Sequence, residues 1–123
     1  MKMLVGYDGS EFAKRALARA VTLAGTKGSV TIASVIASDS QASEMVSQQR
    51  LLSDAKSLAG KRKVETLELS GNAAEALMKA ASKLEADFLV VGSRGRGAAA
   101  SLLLGSVSAT LAREAPCDVI IVR

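Results

Sequence analysis

The stretch that decides the fold is FLVVGSRGRGAAASLLLGS, residues 88–106. Its apolar start, residues 88–91, is typical of a strand that is buried on both faces of a sheet. A glycine-rich segment follows, and residues 106–115 predict a short helix that ends before Pro116. A strand, a loop and a helix in this order form one unit of a parallel sheet, so the stretch predicts an α/β protein.

The remaining sequence repeats the same alternation. Four further apolar runs predict strands, at residues 3–7, 30–36, 64–69 and 119–122. Ser10 and Asn72 stand where their side chains can cap the first and third helices between these strands. Glu65 and Glu68 place the third strand at an edge of the sheet. The order βαβαβαβαβ predicts an open parallel sheet with helices on both faces, because right-handed crossovers allow little else.

The core faces of the helices are predicted from apolar residues three or four positions apart. They are Phe12, Ala16, Ala20 and Leu23 in the first helix, Met45, Leu52 and Ala59 in the second, and Ala74, Leu77, Ala81 and Leu84 in the third. No linker, repeat or low-complexity tract divides the chain. A length of 123 residues therefore predicts one domain, residues 1–123.

The composition excludes several classes of protein. A content of 49% apolar and 23% charged residues excludes an intrinsically disordered chain. The chain has no histidine and a single cysteine, Cys117, which excludes His/Cys zinc sites and any catalysis that needs imidazole. The net charge of +4 is compatible with anionic ligands, but one tyrosine, two phenylalanines and no tryptophan offer little surface for base stacking. Nucleic acid is therefore not expected as the main ligand.

Neither a membrane span nor a targeting segment is predicted. No apolar run approaches the roughly 20 residues that cross a bilayer, so no membrane association is expected. The start MKMLVGYDGS has too short an apolar stretch for a signal peptide, which makes the cytoplasm the expected compartment.

The glycine-rich segment after the fourth strand has the chemistry of a phosphate site. In doubly wound sheets, ligands bind beyond the carboxyl ends of the strands, where the strand order reverses. Gly92 and Gly95 let the backbone approach an oxyanion. The helix that begins near Ser106, its expected N-cap, presents free N–H groups and the positive end of its dipole. The hydroxyls of Ser106 and Ser108 can add hydrogen bonds.

Two better-known phosphate motifs fit this segment less well. Gly92 and Gly97 have the glycine spacing of a P-loop, but alanines at 98 and 99 replace the lysine and the Ser/Thr of that motif. Residues 95–100, GRGAAA, match a permissive dinucleotide fingerprint, but they follow the fourth strand rather than the first. No P-loop lysine, magnesium ligand set or base that could orient water is evident, so no catalytic or metal-binding residue is assigned.

The glycine spacing itself fits a known family. The pattern G-x2-G-x9-G-[ST], filled by Gly92, Gly95, Gly105 and Ser106, resembles the ATP-binding signature of the universal stress protein family. The turn DGS at residues 8–10 resembles the turn that follows the first strand of that family. Both features follow strands of the predicted sheet, where a ligand is expected in any doubly wound protein.

The similarity runs nearly end to end, with two departures. The ending EAPCDVIIVR, residues 114–123, resembles the closing strand of the family, but Asp118 stands where the family usually has a second proline. The segment 37–43 is shorter than usual, and it belongs to one wall of the nucleotide site in the family. Arg94 is a common variant at a position that is often histidine.

The resemblance implies a fold, a ligand and an assembly. The implied fold is a five-stranded parallel sheet of order 3-2-1-4-5, as in the adenine nucleotide alpha hydrolase-like proteins. The implied function is a regulatory protein of the stress response that binds ATP, ADP or AMP, with Mg²⁺ as a companion of the phosphates, and hydrolyses ATP slowly at most. The alternative is a stress-family dimer that binds no nucleotide and acts as a protein-interaction module. A homodimer is implied through the last strand, from Val119 to Val122, whose apolar edge would otherwise be an aggregation hazard.

The resemblance also implies roles for individual residues. Asp8 contacts the ribose or adenine side of the nucleotide, and backbone groups of Val35 face the adenine edge. Arg94, a cation in the loop after the fourth strand, is included among the residues expected to bind the nucleotide. The ribose and phosphates are held by Gly92, Gly95, Gly105, Ser106, Val107 and Ser108. From the residues alone two alternatives stay open, an Asx-turn for Asp8 and solvated loop charges for Arg94 and Arg96.

Overall fold

A computed structural model of the chain describes residues 1–96 and 104–123. Strands and helices alternate as the sequence predicts, with bounds within two residues of those expected. The elements are β1 (Lys2–Gly6), α1 (Glu11–Ala24), β2 (Ser29–Ile36), α2 (Ala42–Leu58), β3 (Glu65–Ser70), α3 (Ala73–Leu84), β4 (Phe88–Gly92), α4 (Ser106–Glu114) and β5 (Asp118–Val122). Gly97 and the alanines at 98–100, which the two rejected phosphate motifs require, lie outside the described residues.

The five strands form one parallel sheet in the order β3-β2-β1-β4-β5. This confirms the fold class and the strand order of the sequence analysis. Val5 of β1 pairs with Ile32 of β2 on one side and with Val90 of β4 on the other. The strand order therefore reverses between β1 and β4, where a doubly wound sheet has its ligand crevice.

Two apolar layers hold the helices against the sheet. Val5 and Ile32 pack with Leu17 of α1 in a layer that also includes residues of α2. Leu4 of β1 points to the opposite face, where it packs with α3 and α4 through residues such as Leu111. Successive strand residues thus serve opposite faces, which is why the strands read as continuous apolar runs.

The predicted core faces of the helices are partly wrong. Leu23 of α1 is 46% exposed and Met45 of α2 is 52% exposed. The faces that pack on the sheet are rich in alanine, and they are centred on Ala13, Ala16, Leu17 and Ala20 in α1. Small side chains let a helix lie close to a sheet, so larger apolar residues on its flanks stay at the surface. Leu84, at the end of α3, is also exposed.

Gln48 of α2 is buried, although hydropathy would assign it to the surface. It is 5% exposed, and its Nε2 donates to the carbonyl of Ser34 at 2.7 Å and to that of Leu69 at 3.0 Å. These carbonyls belong to β2 and β3, near the carboxyl ends of both strands. One amide group therefore ties α2 to two strands, and burial of its dipole is compensated.

We expect Gln48→Leu to lower the free energy of unfolding by about 1–3 kcal/mol, because two buried carbonyl oxygens lose their amide donor. Gln49, the next residue, is exposed and offers a matched control. Denaturant unfolding followed by circular dichroism should show a lower midpoint for Gln48→Leu and an unchanged midpoint for Gln49→Leu. Equal midpoints for both variants would show that the two hydrogen bonds do not stabilise the fold.

Candidate functional site

A cavity of about 650 Å³ opens at the carboxyl ends of β1, β2 and β4. It lies at the switch point of the strand order, where the sheet topology places a ligand site. All nine residues predicted for the site line this cavity: Asp8, Val35, Gly92, Arg94, Gly95, Gly105, Ser106, Val107 and Ser108. The structure therefore brings them together around one cavity, and their roles toward a ligand remain predictions.

Asp8 follows β1 and connects two loops. Its Oδ1 accepts a hydrogen bond from the N–H of Ser10 at 2.9 Å, which forms the Asx-turn considered from the sequence. Its Oδ2 accepts from the N–H of Arg96 at 3.2 Å, in the loop after β4. Ser10 in turn caps α1, as predicted, by accepting from the N–H of Ala13. The carboxylate is thus held at the mouth of the cavity by the start of α1.

The two glycines of the loop are closely approached by other parts of the protein. A Cβ on Gly92 would lie 2.6 Å from the Cβ of Phe12 and 2.8 Å from its carbonyl carbon, so α1 occupies the space of a side chain there. A Cβ on Gly95 would lie 2.7 Å from Oδ2 of Asp8. Neither glycine has a positive φ. Gly92 therefore needs to be glycine because the backbone of α1 fills its side-chain space, whereas a side chain at Gly95 would have to displace the carboxylate of Asp8.

The start of α4 completes the cavity. The N-cap is Gly105, so the expectation that Ser106 is the N-cap is wrong. Ser106 already has helical backbone geometry, whereas Gly105 is extended. A glycine cap has no acceptor side chain, and within residues 1–96 and 104–123 no side-chain cap bonds the first turn of α4, so its first N–H groups can face water or a ligand.

Hydrogen bonds fix the helix start to the end of β4. The N–H of Gly105 donates to the carbonyl of Ser93 at 2.6 Å. The hydroxyl of Ser108, which is buried, lies 2.9 Å from the same carbonyl and 3.1 Å from that of Gly105. A hydroxyl has one proton, so Ser108 donates within the protein and can offer a ligand only its acceptor capacity.

The guanidinium of Arg94, one of the predicted residues, lies 4.9 Å from the centre of the Phe12 ring, in a cation–π contact.

Several other lining residues were not predicted from the sequence. Arg96 lines the cavity too, and its spacing from Arg94 was the signal that could have included it. Tyr7 directly precedes Asp8, and burial raises the pKa of its hydroxyl, with Lys14 opposing that rise. The other unpredicted lining residues are mostly small or apolar: Gly6, Ala13, Ala33, Ala73, Leu77 and Val91.

The described residues contain neither a metal cluster nor a membrane-spanning helix. Residues 1–96 and 104–123 have no group of three or more His, Cys, Asp or Glu side chains that could hold a metal ion. No helix among them is long and apolar enough to cross a membrane. The cavity at the switch point is the candidate functional site.

A parallel sheet of order 3-2-1-4-5, with a cavity at its switch point, defines a doubly wound α/β protein with a ligand site at the carboxyl edge. Residues 1–123 match the universal stress protein family, and the chain belongs to that family. It is 34% identical over 133 residues to a universal stress protein of Thermus aquaticus, covering 98% of this chain and 97% of the relative. It is 35% identical over 137 residues to one of Mycobacterium tuberculosis, covering 98% and 94%.

Solved structures agree with this assignment. A universal stress protein in complex with cAMP is 31% identical, with a TM-score of 0.77, and the match covers 100% of this chain and 97% of the other. UspA from Lactobacillus plantarum has a TM-score of 0.85 at 22% identity, over 100% and 97% of the two chains. The similarity to UspA supports the fold alone, whereas the other relative was solved in complex with a nucleotide, cAMP.

Gly92 and Gly105, two of the three glycines in the signature, have different contacts, which predict different effects of an added side chain on stability. Gly92→Ala should lower the free energy of unfolding by about 1–3 kcal/mol, because the new methyl group meets the backbone of Phe12. Gly105→Ser should leave stability unchanged or slightly higher, since a Cβ there meets its nearest atom at 3.4 Å and serine is a good N-cap. Thermal unfolding by circular dichroism measures both. A Gly92→Ala protein as stable as the parent would contradict the close packing of β4 on α1.

Proposed function

We propose that the protein binds an adenine nucleotide in the cavity at the carboxyl ends of β1, β2 and β4. The observation that carries the proposal is the uncapped first turn of α4, which lines this cavity next to a glycine-rich loop. Free N–H groups and the positive end of a helix dipole form a ready site for a phosphate group. The relative in complex with cAMP supports the same class of ligand.

The lining residues suggest how a nucleotide would be oriented. Asp8 carries the only carboxylate among the described residues that line the cavity, and it would repel a phosphate. We therefore place the ribose hydroxyls beside Asp8 and the phosphates beside Ser106 and Val107 of α4, with Arg94 as the nearby cation. The adenine ring would lie against the apolar wall that includes Leu77, near the backbone of Val35.

The same residues favour binding over rapid turnover. Phosphoryl transfer needs charge neutralisation and a group that orients the attacking water. Both carboxylate oxygens of Asp8 already accept backbone hydrogen bonds, from Ser10 and Arg96. We propose a regulatory, nucleotide-binding stress protein that hydrolyses ATP slowly at most. The ligand would be ATP, ADP, AMP or cAMP, and Mg²⁺ would arrive with the phosphates.

We also propose that two copies of the chain associate through β5. The two edges of the sheet differ in chemistry. At β3 the exposed residues include Glu65 and Glu68, and charged side chains protect an open edge from pairing. At β5 the residues Val119, Ile120 and Ile121 are apolar and half-buried. An unpaired apolar edge is a hazard that a dimer removes.

Sedimentation velocity should find the parent as a dimer at micromolar concentration. Ile121→Lys should shift the protein toward monomer, because it places a charge on the proposed interface. Glu68→Lys, on the opposite edge, should remain dimeric, and circular dichroism should confirm that both variants fold. A parent protein that sediments as a monomer at every concentration would refute association through β5.

The nucleotide site is tested by giving α4 the cap that it lacks. Gly105→Asp supplies an N-cap acceptor and places a negative charge where the phosphate is proposed to lie. Gly105→Asn is the matched control, because its side chain has the same shape and caps without a charge. Isothermal titration with ATP, ADP, AMP and cAMP, with and without Mg²⁺, should give an affinity at least roughly tenfold lower for Gly105→Asp than for Gly105→Asn.

Two results would count against this site. Equal affinities for the two variants would mean that the phosphate does not lie at α4. A parent that binds none of the four nucleotides would favour the alternative, a stress-family dimer that acts through protein contacts. Thermal unfolding of each variant, measured in parallel, separates lost binding from lost stability.

A further inference from the structure

Two loops at the mouth of the cavity interlock through reciprocal contacts. Oδ2 of Asp8 lies 2.7 Å from the position that a Cβ on Gly95 would take. In the opposite direction, Nη2 of Arg96 lies 2.8 Å from the position that a Cβ on Gly9 would take. Each loop thus has a glycine that admits the polar side chain of the other. We call Asp8, Gly9, Gly95 and Arg96 the interlock.

A hydrogen bond joins the backbone of one loop to the side chain of the other. The N–H of Arg96 donates to Oδ2 of Asp8 across 88 positions of sequence. The donor is the last described residue of the loop after β4, and the acceptor directly follows the cavity-lining Tyr7, just after the end of β1. The other carboxylate oxygen is held by the N–H of Ser10 at the start of α1. Because both oxygens are fixed, the carboxylate is a rigid anchor rather than a freely rotating surface charge.

We propose that Asp8 is a positioning residue that holds the glycine-rich loop in place at the mouth of the cavity, and that Gly95 is a glycine because its side-chain space is taken by this carboxylate. Asp8 acts on the loop before any ligand arrives. Its effect on nucleotide affinity rests on the proposed function, whereas its effect on the loop does not. A loop that is already ordered loses less conformational entropy when it binds a ligand, so the interlock should raise affinity by pre-organisation.

Gly9 contributes to the interlock in a second way. Its φ is +82°, a left-handed conformation that side chains adopt with strain, so the tight turn after Asp8 also depends on glycine. The turn aims the carboxylate at the loop after β4 and leaves room for the guanidinium of Arg96. A substitution at Gly9 would therefore disturb both the turn and the contact, and it is a poor test of either.

Asp8→Asn separates the Asx-turn from the contact with the loop. The asparagine oxygen can still accept from Ser10, whereas its NH₂ group cannot accept from the N–H of Arg96. Trypsin cleaves after arginine, so the bonds after Arg94 and Arg96 report directly on the order of the loop. Without nucleotide, we expect the rate of cleavage at these bonds to rise roughly tenfold in Asp8→Asn, which corresponds to the loss of a hydrogen bond to a charged group.

Cleavage after Lys27, an exposed residue in the distant turn between α1 and β2, is the internal control and should be unchanged. Mass spectrometry of the fragments identifies each site. Equal rates after Arg94 and Arg96 in the parent and in Asp8→Asn would overturn the proposal. So would a parent that is cleaved at these bonds as fast as an unstructured peptide of the same sequence.

A double-mutant cycle tests the reason for Gly95. Gly95→Ala alone should accelerate cleavage at Arg94 and Arg96 several-fold, because its methyl group displaces the carboxylate of Asp8. In the background of Asp8→Ala, where the carboxylate is absent, Gly95→Ala should add little. Effects that multiply in the double variant would overturn this explanation of Gly95.

Nucleotide titrations of the same variants keep the two proposals distinguishable. If the parent binds no nucleotide, the proposed function fails, while the cleavage rates measured without nucleotide still decide the interlock. If the parent binds ATP, the interlock predicts that Asp8→Asn weakens binding and that saturating ATP slows cleavage after Arg96. Unchanged affinity in Asp8→Asn would refute the pre-organising role.

Discussion

The rest of the structure depends on the gap between the carboxyl ends of β1 and β4. The chain leaves β1 toward α1 on one face of the sheet and leaves β4 toward α4 on the other. Two neighbouring parallel strands are thus followed by connections that diverge, and no helix of residues 1–96 or 104–123 crosses the space between them. The cavity, the uncapped start of α4 and the contact between the loops of Asp8 and Gly95 all lie at this gap. The strand order therefore determines where the site lies, and individual side chains line the space that it creates.

Apolar runs, alternating with segments whose apolar residues lie three or four positions apart, were sufficient to predict the strands, the helices and the parallel sheet. The strand order came from the family resemblance, because an apolar run does not specify its neighbours. The predicted helix faces failed where packing depends on alanine, as at Leu23 and Met45. They also failed at Gln48, a polar residue that is buried because its side chain donates hydrogen bonds to two strand carbonyls. The local sequence also does not reveal that Arg62, in the basic run at residues 61–63, donates to the carbonyls of Gly25 and Gly28.

The residues predicted for the site line one cavity in the structure, but the contacts that surround its glycines could not be predicted. The motif assigned Gly92, at the end of β4, and Gly95, in the loop after it, to the ribose and phosphates. In the structure Gly92 is packed against Phe12 and Gly95 against Asp8, each about 80 or more positions away in sequence. A local pattern cannot reveal such contacts, because they arise only once β1 and β4 are neighbours in the sheet. The glycines of the signature therefore take part in the packing of the fold as well as lining the cavity, which only the structure makes visible.

The central claim is that nucleotide phosphates bind at the first turn of α4. Backbone amide resonances in ¹⁵N-labelled protein, followed during titration with ATP, test it most directly, because those N–H groups are the proposed donors. We predict large, saturable shifts for the amides of Ser106, Val107 and Ser108, and none for Lys27 in the turn between α1 and β2, at the opposite end of the sheet. Saturable shifts elsewhere, with the amides of α4 unmoved, would contradict it.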